Sequence, residues 1–210
     1  MIGLYRQLET PQPRDLIEAV NSLNDKLGKN NVQILHNLAK PREIVVLAGY
    51  KSLADYESQS EEYVSAGLPE IARDHGVNLV DQGFMVIEAV NDPNNTLRGT
   101  HDYVVLTGGL VKIGAMPNVI AVASRVIEKI GPEQLSQGIS SMVMRAVSGN
   151  NVNKMAYRLG LPSIEAAEEF ITRSPGSRPE VADDLKEWLS NMTAVSRGVF
   201  KVKRKFGPLD

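Results

Sequence analysis

The chain has no cysteine and only three histidines in 210 residues. Disulfide frameworks, thiol nucleophiles and thiolate metal sites are therefore excluded, which suits a reducing compartment. Three scattered histidines, with no His-Glu-x-x-His spacing and no carboxylate cluster, do not make a metal-ligand set. Charge of either sign is not in excess: 23 Lys and Arg stand against 25 Asp and Glu, for a net charge of -2. No bulk electrostatic pull on nucleic acid follows. No apolar run approaches about 18 residues, the length that would suggest a membrane span. The start, Met1-Ile2-Gly3-Leu4-Tyr5-Arg6, lacks the basic and apolar regions of a signal peptide. The expectation is a cytoplasmic protein without membrane or nucleic-acid partners. Gly108-Gly109-Leu110-Val111-Lys112-Ile113-Gly114 is rich in glycine but has neither dinucleotide-fingerprint nor P-loop spacing, so no phosphate cradle is read from it.

What the chain does have is internal likeness. Pro69-Glu70-Ile71-Ala72-Arg73-Asp74 returns about 110 residues later as Pro179-Glu180-Val181-Ala182-Asp183-Asp184. The helix started by Pro11 and Pro13 carries the stripe Leu16, Ile17, Val20, Leu23, Leu27 and ends at Gly28. At an offset of about 103 residues, Pro117 starts a helix with the stripe Val119, Ile120, Ala123, Val126, Ile130 and an expected stop at Gly131. Each helix is preceded by a strand, Ile2–Leu8 or Tyr103–Thr107, with a bulge or close approach expected at Gly108-Gly109. Each is followed by a hairpin, Val32–Leu38 with Glu43–Tyr50, or Ile139–Val147 with Lys154–Leu159 across Ser148-Gly149-Asn150-Asn151. Ser52 and Ser163 then cap interrupted helices, and the strands from Gly83 and Gly198 close each half. Asn91-Asp92-Pro93-Asn94-Asn95 reads as the linker, which gives units over residues 1–92 and 98–207.

A strand-helix-strand-strand-helix-strand unit folds as a ferredoxin-like four-stranded sheet with both helices on one face. The strands are too apolar to leave the other face in water, and a second like unit in the same chain is its natural cover. This order, with the hairpin after the first helix and the Ser-capped, interrupted second helix, resembles the dimeric α+β barrel superfamily. Antibiotic-biosynthesis-type monooxygenases, NIPSNAP-like proteins and related cyclases and decarboxylases belong to it. The resemblance implies an α+β fold in which two tandem βαββαβ units pack sheet to sheet as a pseudo-dimer. It also implies a ligand pocket between the helices and the concave sheet of each unit. A homodimer of such chains is compatible with it.

Three residues are nominated for such a pocket. His36, in phase with Val32, Ile34 and Leu38, suits a proton acceptor, set against a hydrogen-bonded structural histidine. Arg145, unusual in the apolar strand Met142–Val147, suits an anionic group, set against pairing with a carboxylate on a sheet rim. Tyr157 lies on the strand paired with it. His75 and His101 read as surface or helix-capping residues. Trp188 reads as core, with a lid over a flat ligand as the alternative. Lys201, Lys203, Arg204 and Lys205 read as charges protecting a sheet edge. RNA binding would need exposed aromatics on the central strands, and that signature is absent. The functional reading is a small-molecule enzyme working without metal, flavin or other cofactor. Its chemistry would be oxygenation, cyclisation or a related proton transfer on an apolar aromatic or polyketide-like substrate, in the manner of secondary metabolism. A non-catalytic ligand-binding or protein-interaction module of the same fold stands beside it, and haem chemistry is discouraged by the lack of a convincing axial histidine.

Overall fold

Pro13 opens α1 (Pro13–Lys26) where its missing N–H is harmless, Leu16, Ile17 and Leu23 form its buried stripe, and Gly28 leaves it with φ +64°. Ser52 caps α2 (Leu53–Ser65) by accepting from Asp55 N at 3.1 Å, and Ser163 caps α5 (Ile164–Thr172) in the same way from Ala166 N at 3.3 Å. The computed structural model describes residues 2–150, 152–173 and 178–207. The expected turn residue Asn151 and most of the expected break at Ser174–Arg178 lie outside them.

The first unit runs β1 (Ile2–Glu9), α1, β2 (Val32–Asn37), β3 (Glu43–Tyr50), α2, α3 (Leu68–Asp74), β4 (Asn78–Val90). The second runs β5 (Tyr103–Val111), α4 (Met116–Ser136), β6 (Ser140–Ala146), β7 (Lys154–Leu161), α5, a 3-10 turn (Pro179–Val181), α6 (Ala182–Ser190), β8 (Met192–Arg204). Within each unit all neighbouring strands are antiparallel, in the orders β4-β1-β3-β2 and β8-β5-β7-β6. The outer strands then pair across the units, β2 with β8 and β4 with β6, and the eight strands close into a barrel. β8 is therefore paired on both sides, which corrects the reading of its basic residues as edge protection. Arg204 Nη1 instead binds Asp25 Oδ1 at 2.8 Å, and Lys205 Nζ binds Asp102 Oδ1 at 2.7 Å.

Alternation along the strands sends one set of side chains into the barrel and the other under the helices. The inward set from both units, Tyr5, Leu35, Val45, Leu47, Met85, Val104, Met144 and Phe200, forms one apolar cluster. The outward sets pack beneath the helices of their own units, around Leu16, Ile34 and Ile44 in the first and Val119, Val143 and Met155 in the second.

Three local expectations give way to packing. Helix α4 passes through Gly131 and Pro132 to Ser136, and Gly138, at φ +73°, follows its end. Gly131 serves close approach instead, because a Cβ there would stand 2.9 Å from Asn91 Cβ. Asn91, expected as linker, docks on the second unit: its Oδ1 accepts from Ser141 N at 2.7 Å and its Nδ2 donates to Ile139 O at 2.9 Å. His101, expected at the surface, is 5% exposed and lies over Gly160, whose Cβ position would fall 2.6 Å from His101 Nδ1. The paired glycines behave as expected: the β5–β8 register slips between Gly108 and Leu110, and Ala194 on β8 takes φ 51°.

Near His101, Arg158 is 4% exposed, and its Nη2 donates to Gln33 Oε1 of the other unit at 3.0 Å. Burial lowers its pKa to about 10, so it stays charged at neutral pH, and among the described residues no carboxylate pairs with it. At another point of the interior, Asp81 Oδ2 accepts from Tyr5 Oη at 2.9 Å within the first unit and from Lys154 Nζ of the second at 2.8 Å.

Two stability predictions follow from these interior groups. Gln33→Leu leaves the Arg158 charge without its acceptor and should destabilise the chain by about 3 kcal/mol in urea melts, while Gln33→Leu with Arg158→Met should recover most of that loss. His101 is held down to about 4 by burial, with the Arg158 charge adding to the effect. The unfolded chain takes up that proton near pH 6.5 and the folded chain does not. Stability should therefore fall as pH drops from about 6.5 to about 4, by on the order of 2 kcal/mol, and His101→Gln should lack that component.

Candidate ligand cavity in the second unit

The space between helices and sheet differs between the units. In the first it is filled, with Tyr56 set edge-on against Tyr50 (centroids 5.3 Å apart) and against Phe84 (4.9 Å). Aligning Gly49 with Gly160 and Gly83 with Gly198 puts Leu161, Ala167 and Val199 at the positions of those three aromatics. Those three residues are themselves packed together, with Leu161 and Ala167 fully buried, and beside them a cavity of ≈ 400 Å³ opens.

Its walls are α4, α5 and α6, and its floor includes Thr107 on β5 and Tyr157 on β7. The lining is mostly apolar, with Val126, Ile130, Phe170 and Leu185 prominent. Ion pairs outside it hold α6 on α4: Asp184 binds Arg125 Nε at 3.0 Å and Lys129 Nζ at 2.7 Å, and Glu187 binds Arg125 Nη2 at 2.9 Å. The Lys129 hydrogen bond leads in holding the Asp184 carboxyl below its ordinary range, and burial opposes it.

Buried polar atoms without partners gather at this cavity. Tyr157 Oη, Trp188 Nε1 and Gln134 Oε1 all belong to lining residues, and each lacks a hydrogen bond, as does Ser141 Oγ nearby. Buried polar groups are normally paired, and the few exceptions call for a reason. Burial pushes the Tyr157 hydroxyl up from its ordinary value; Ser141 and Gln134, its polar neighbours, draw it partly back without forming a hydrogen bond of ordinary geometry. The phenol is therefore neutral at physiological pH, a donor with Ser141 and Gln134 beside it and no hydrogen bond of ordinary geometry to either.

Of the three nominated residues, only Tyr157 lines the cavity. His36 sits on the helix side of β2 in the first unit, and its Nε2 lies 2.7 Å from Pro41 O. Arg145 turns its Nε to Glu88 Oε1 at 2.7 Å, the carboxylate pairing weighed against an anion site. The three are not brought together. Trp188 is both core and cavity wall. His75 Nδ1 donates to Ile71 O, 2.8 Å away, as a helix-end residue. Sequence reasoning missed Gln134, which falls beyond the helix stop expected at Gly131. It also missed Arg197, which stands beside Thr107 across the β5–β8 pairing. Among the described residues no group of three or more His, Asp or Glu could hold a metal ion, and no helix is long and apolar enough to cross a membrane.

No protein-family model matches the sequence, and no curated protein is similar to it in sequence. Solved structures are similar in fold. A monooxygenase-like protein from Fusobacterium nucleatum superposes with a TM-score of 0.73 at 10% identity, over 100% of this chain and 96% of that one. An anthrone oxidase-like protein gives 0.65 at 12% identity, over 99% and 94%. A heme-degrading enzyme from Listeria monocytogenes gives 0.53 at 8% identity, over 95% and 98%. Strand order, cross-unit pairing and these full-length superpositions agree: the chain has the dimeric α+β barrel fold, with both of its ferredoxin-like units in one polypeptide.

Proposed function

We propose that the chain is an enzyme that takes a small, largely apolar, aromatic or polyketide-like molecule into the second-unit cavity. The reaction is cofactor-independent oxygenation, cyclisation or a related proton transfer. The observation that carries this reading is an apolar cavity lined by Tyr157 and Trp188, whose hydroxyl and indole N–H are buried without a partner. A phenolic or enolic substrate that gives up its proton to water at the open side of the cavity places negative charge on its oxygen. Two fixed donors in a site of low polarity stabilise that charge more than the neutral form, which lowers the barrier to reaction at the adjoining carbon. Gln134 Oε1 and Ser141 Oγ, both acceptors, suit a second polar group on the substrate. Tyr157 thus holds the oxyanion and Trp188 assists. His36 and Arg145, engaged elsewhere, have no part in it.

One observation favours a non-catalytic reading of the same cavity. Its only lining carboxylate, Glu169, is exposed and paired with Arg173, so no free base lies on the floor. Anthrone, suggested by the name of one structural neighbour, separates the two readings. It is acidic enough through its phenolic tautomer to react with dioxygen, giving anthraquinone and water. Purified protein should accelerate that conversion, read by mass spectrometry, while saturable binding without product would establish the binding module.

Tyr157→Phe is the decisive variant. It should lower turnover by about 10²-fold through loss of one oxyanion donor. Because the hydroxyl makes no bond within the chain, the urea midpoint should stay unchanged or rise slightly. A Tyr157→Phe protein with full turnover would remove the residue from the chemistry.

A further inference from the structure

Arg197, Thr107, Tyr157 and Val143 form one row across four adjacent strands, β8, β5, β7 and β6, each paired with the next. Residues so paired share a face of the sheet, and for Arg197, Thr107 and Tyr157 that face is the cavity floor and rim. Arg197 is set in place at two points. Its Nε donates to Thr107 Oγ1 at 3.1 Å, and its guanidinium carbon lies 5.5 Å from the centre of the Phe170 ring. Its two terminal nitrogens make no hydrogen bond and no ion pair within the described residues.

The other arginines of the rim are engaged. Arg173 pairs with Glu169, and Arg178 binds Glu133 at 3.0 Å and Glu180 at 3.6 Å. The carboxylates of Glu169, Glu133 and Glu180 thus occupy Arg173 and Arg178, and Arg197 is the lining arginine without a carboxylate partner among the described residues. One guanidinium at the rim is therefore held at Thr107 and Phe170 with its planar, two-pronged end unpaired.

We infer that the ligand of this cavity carries an anionic group, a carboxylate or an equivalent oxyanion, bound by Arg197 at the rim. The inference rests on the cavity reading above and narrows its substrate class. The row supplies a ruler as well. Arg197 and Tyr157 are two strand spacings apart, about 10 Å between backbones. The anionic group and the oxygen facing Tyr157 accordingly sit at opposite ends of a two- or three-ring skeleton, with Thr107 beneath its middle and Phe170 beside the charged end. A small apolar molecule with no charge would fill the cavity and leave Arg197 unused.

Two fluorescent probes that share a skeleton test this: 1-anilinonaphthalene-8-sulfonate, which is anionic, and N-phenyl-1-naphthylamine, which lacks the sulfonate. Titration of the full chain should show Arg197→Gln weakening the sulfonate probe about tenfold, a typical charge-assisted contact, and leaving the neutral probe within twofold. Arg197→Lys should recover part of the difference, since the charge returns without the fork. Ala166→Trp, which fills the cavity from α5, should weaken both probes. If Ala166→Trp displaces both probes but Arg197→Gln affects them equally or not at all, the anion inference falls and the cavity reading stands. If Ala166→Trp displaces neither, or the wild-type chain binds neither probe, the inference falls together with that reading.

Discussion

The structure depends on two sheets that cannot face water on their inner sides. Each ferredoxin-like unit has one face under helices and one face of Leu, Val, Met and aromatic side chains. Joining the units puts those inner faces into a single cluster from Tyr5 and Leu35 to Met144 and Phe200. A fully buried side chain of this kind contributes about 1.5–3 kcal/mol. Closure through β2–β8 and β4–β6 also gives every outer strand a partner and removes the edges that would invite association with other chains. Polar groups inside follow the same logic. The Arg158–Gln33 bond and the Tyr5–Asp81–Lys154 cluster join residues of different units, so these groups depend on the barrel as a whole.

With the inner faces committed to one another, the outer faces are left to the helices, and function is a question of how well the helices cover the sheets. Three aromatic rings fill the layer in the first unit. In the second the smaller residues Leu161, Ala167 and Val199 pack together, and an open cavity lies beside them, lined by Tyr157, Trp188 and Gln134, each with a buried polar atom that has no partner. Empty apolar space forfeits dispersion contacts, and an unpaired buried polar atom has a desolvation penalty. A fold that tolerates both in one place, while packing the equivalent place tightly, spends stability where a ligand can restore it.

Much of this architecture was legible in the chain. Helical stripes, the serines at Ser52 and Ser163 and the two hairpins are local features, set by periodicity and capping chemistry within a dozen residues. What escaped notice is set between residues distant in sequence. Gly131 looks like a helix stop until Asn91, 40 residues away, is found against it and the glycine proves to be a point of contact. His101 follows a linker and adjoins Asp102, both surface signals, yet it covers the end of β7 where Gly160 leaves space. Tyr157 could be nominated because it lies on a strand facing helices, but its lack of a partner depends on four elements meeting. The Arg197–Thr107–Tyr157 row requires the β5–β8 register, which a bulge shifts. The matched positions Tyr50 and Leu161, Tyr56 and Ala167, Phe84 and Val199 were in view from the internal likeness alone.

That the two units share one chain is itself a physical condition for this asymmetry. In a dimer of identical chains every substitution appears twice, on symmetric surfaces. An open, under-packed cavity with unpaired donors would then exist in both halves, and its destabilisation would be doubled. A single polypeptide separates the two roles. The first unit can carry Val46 where the second carries Tyr157, and an aromatic trio where the second carries small residues, and so supply rigidity to the common barrel. The second can then hold its helices around open space, anchored by α4–α6 ion pairs and by the apolar contacts of α4 with Trp188 and Leu185. The inner cluster transmits that support, because the sheet beneath the cavity packs on its other face against the well-filled first unit. Covalent linkage and a shared core thus permit one half to be tightly packed while the other holds open space.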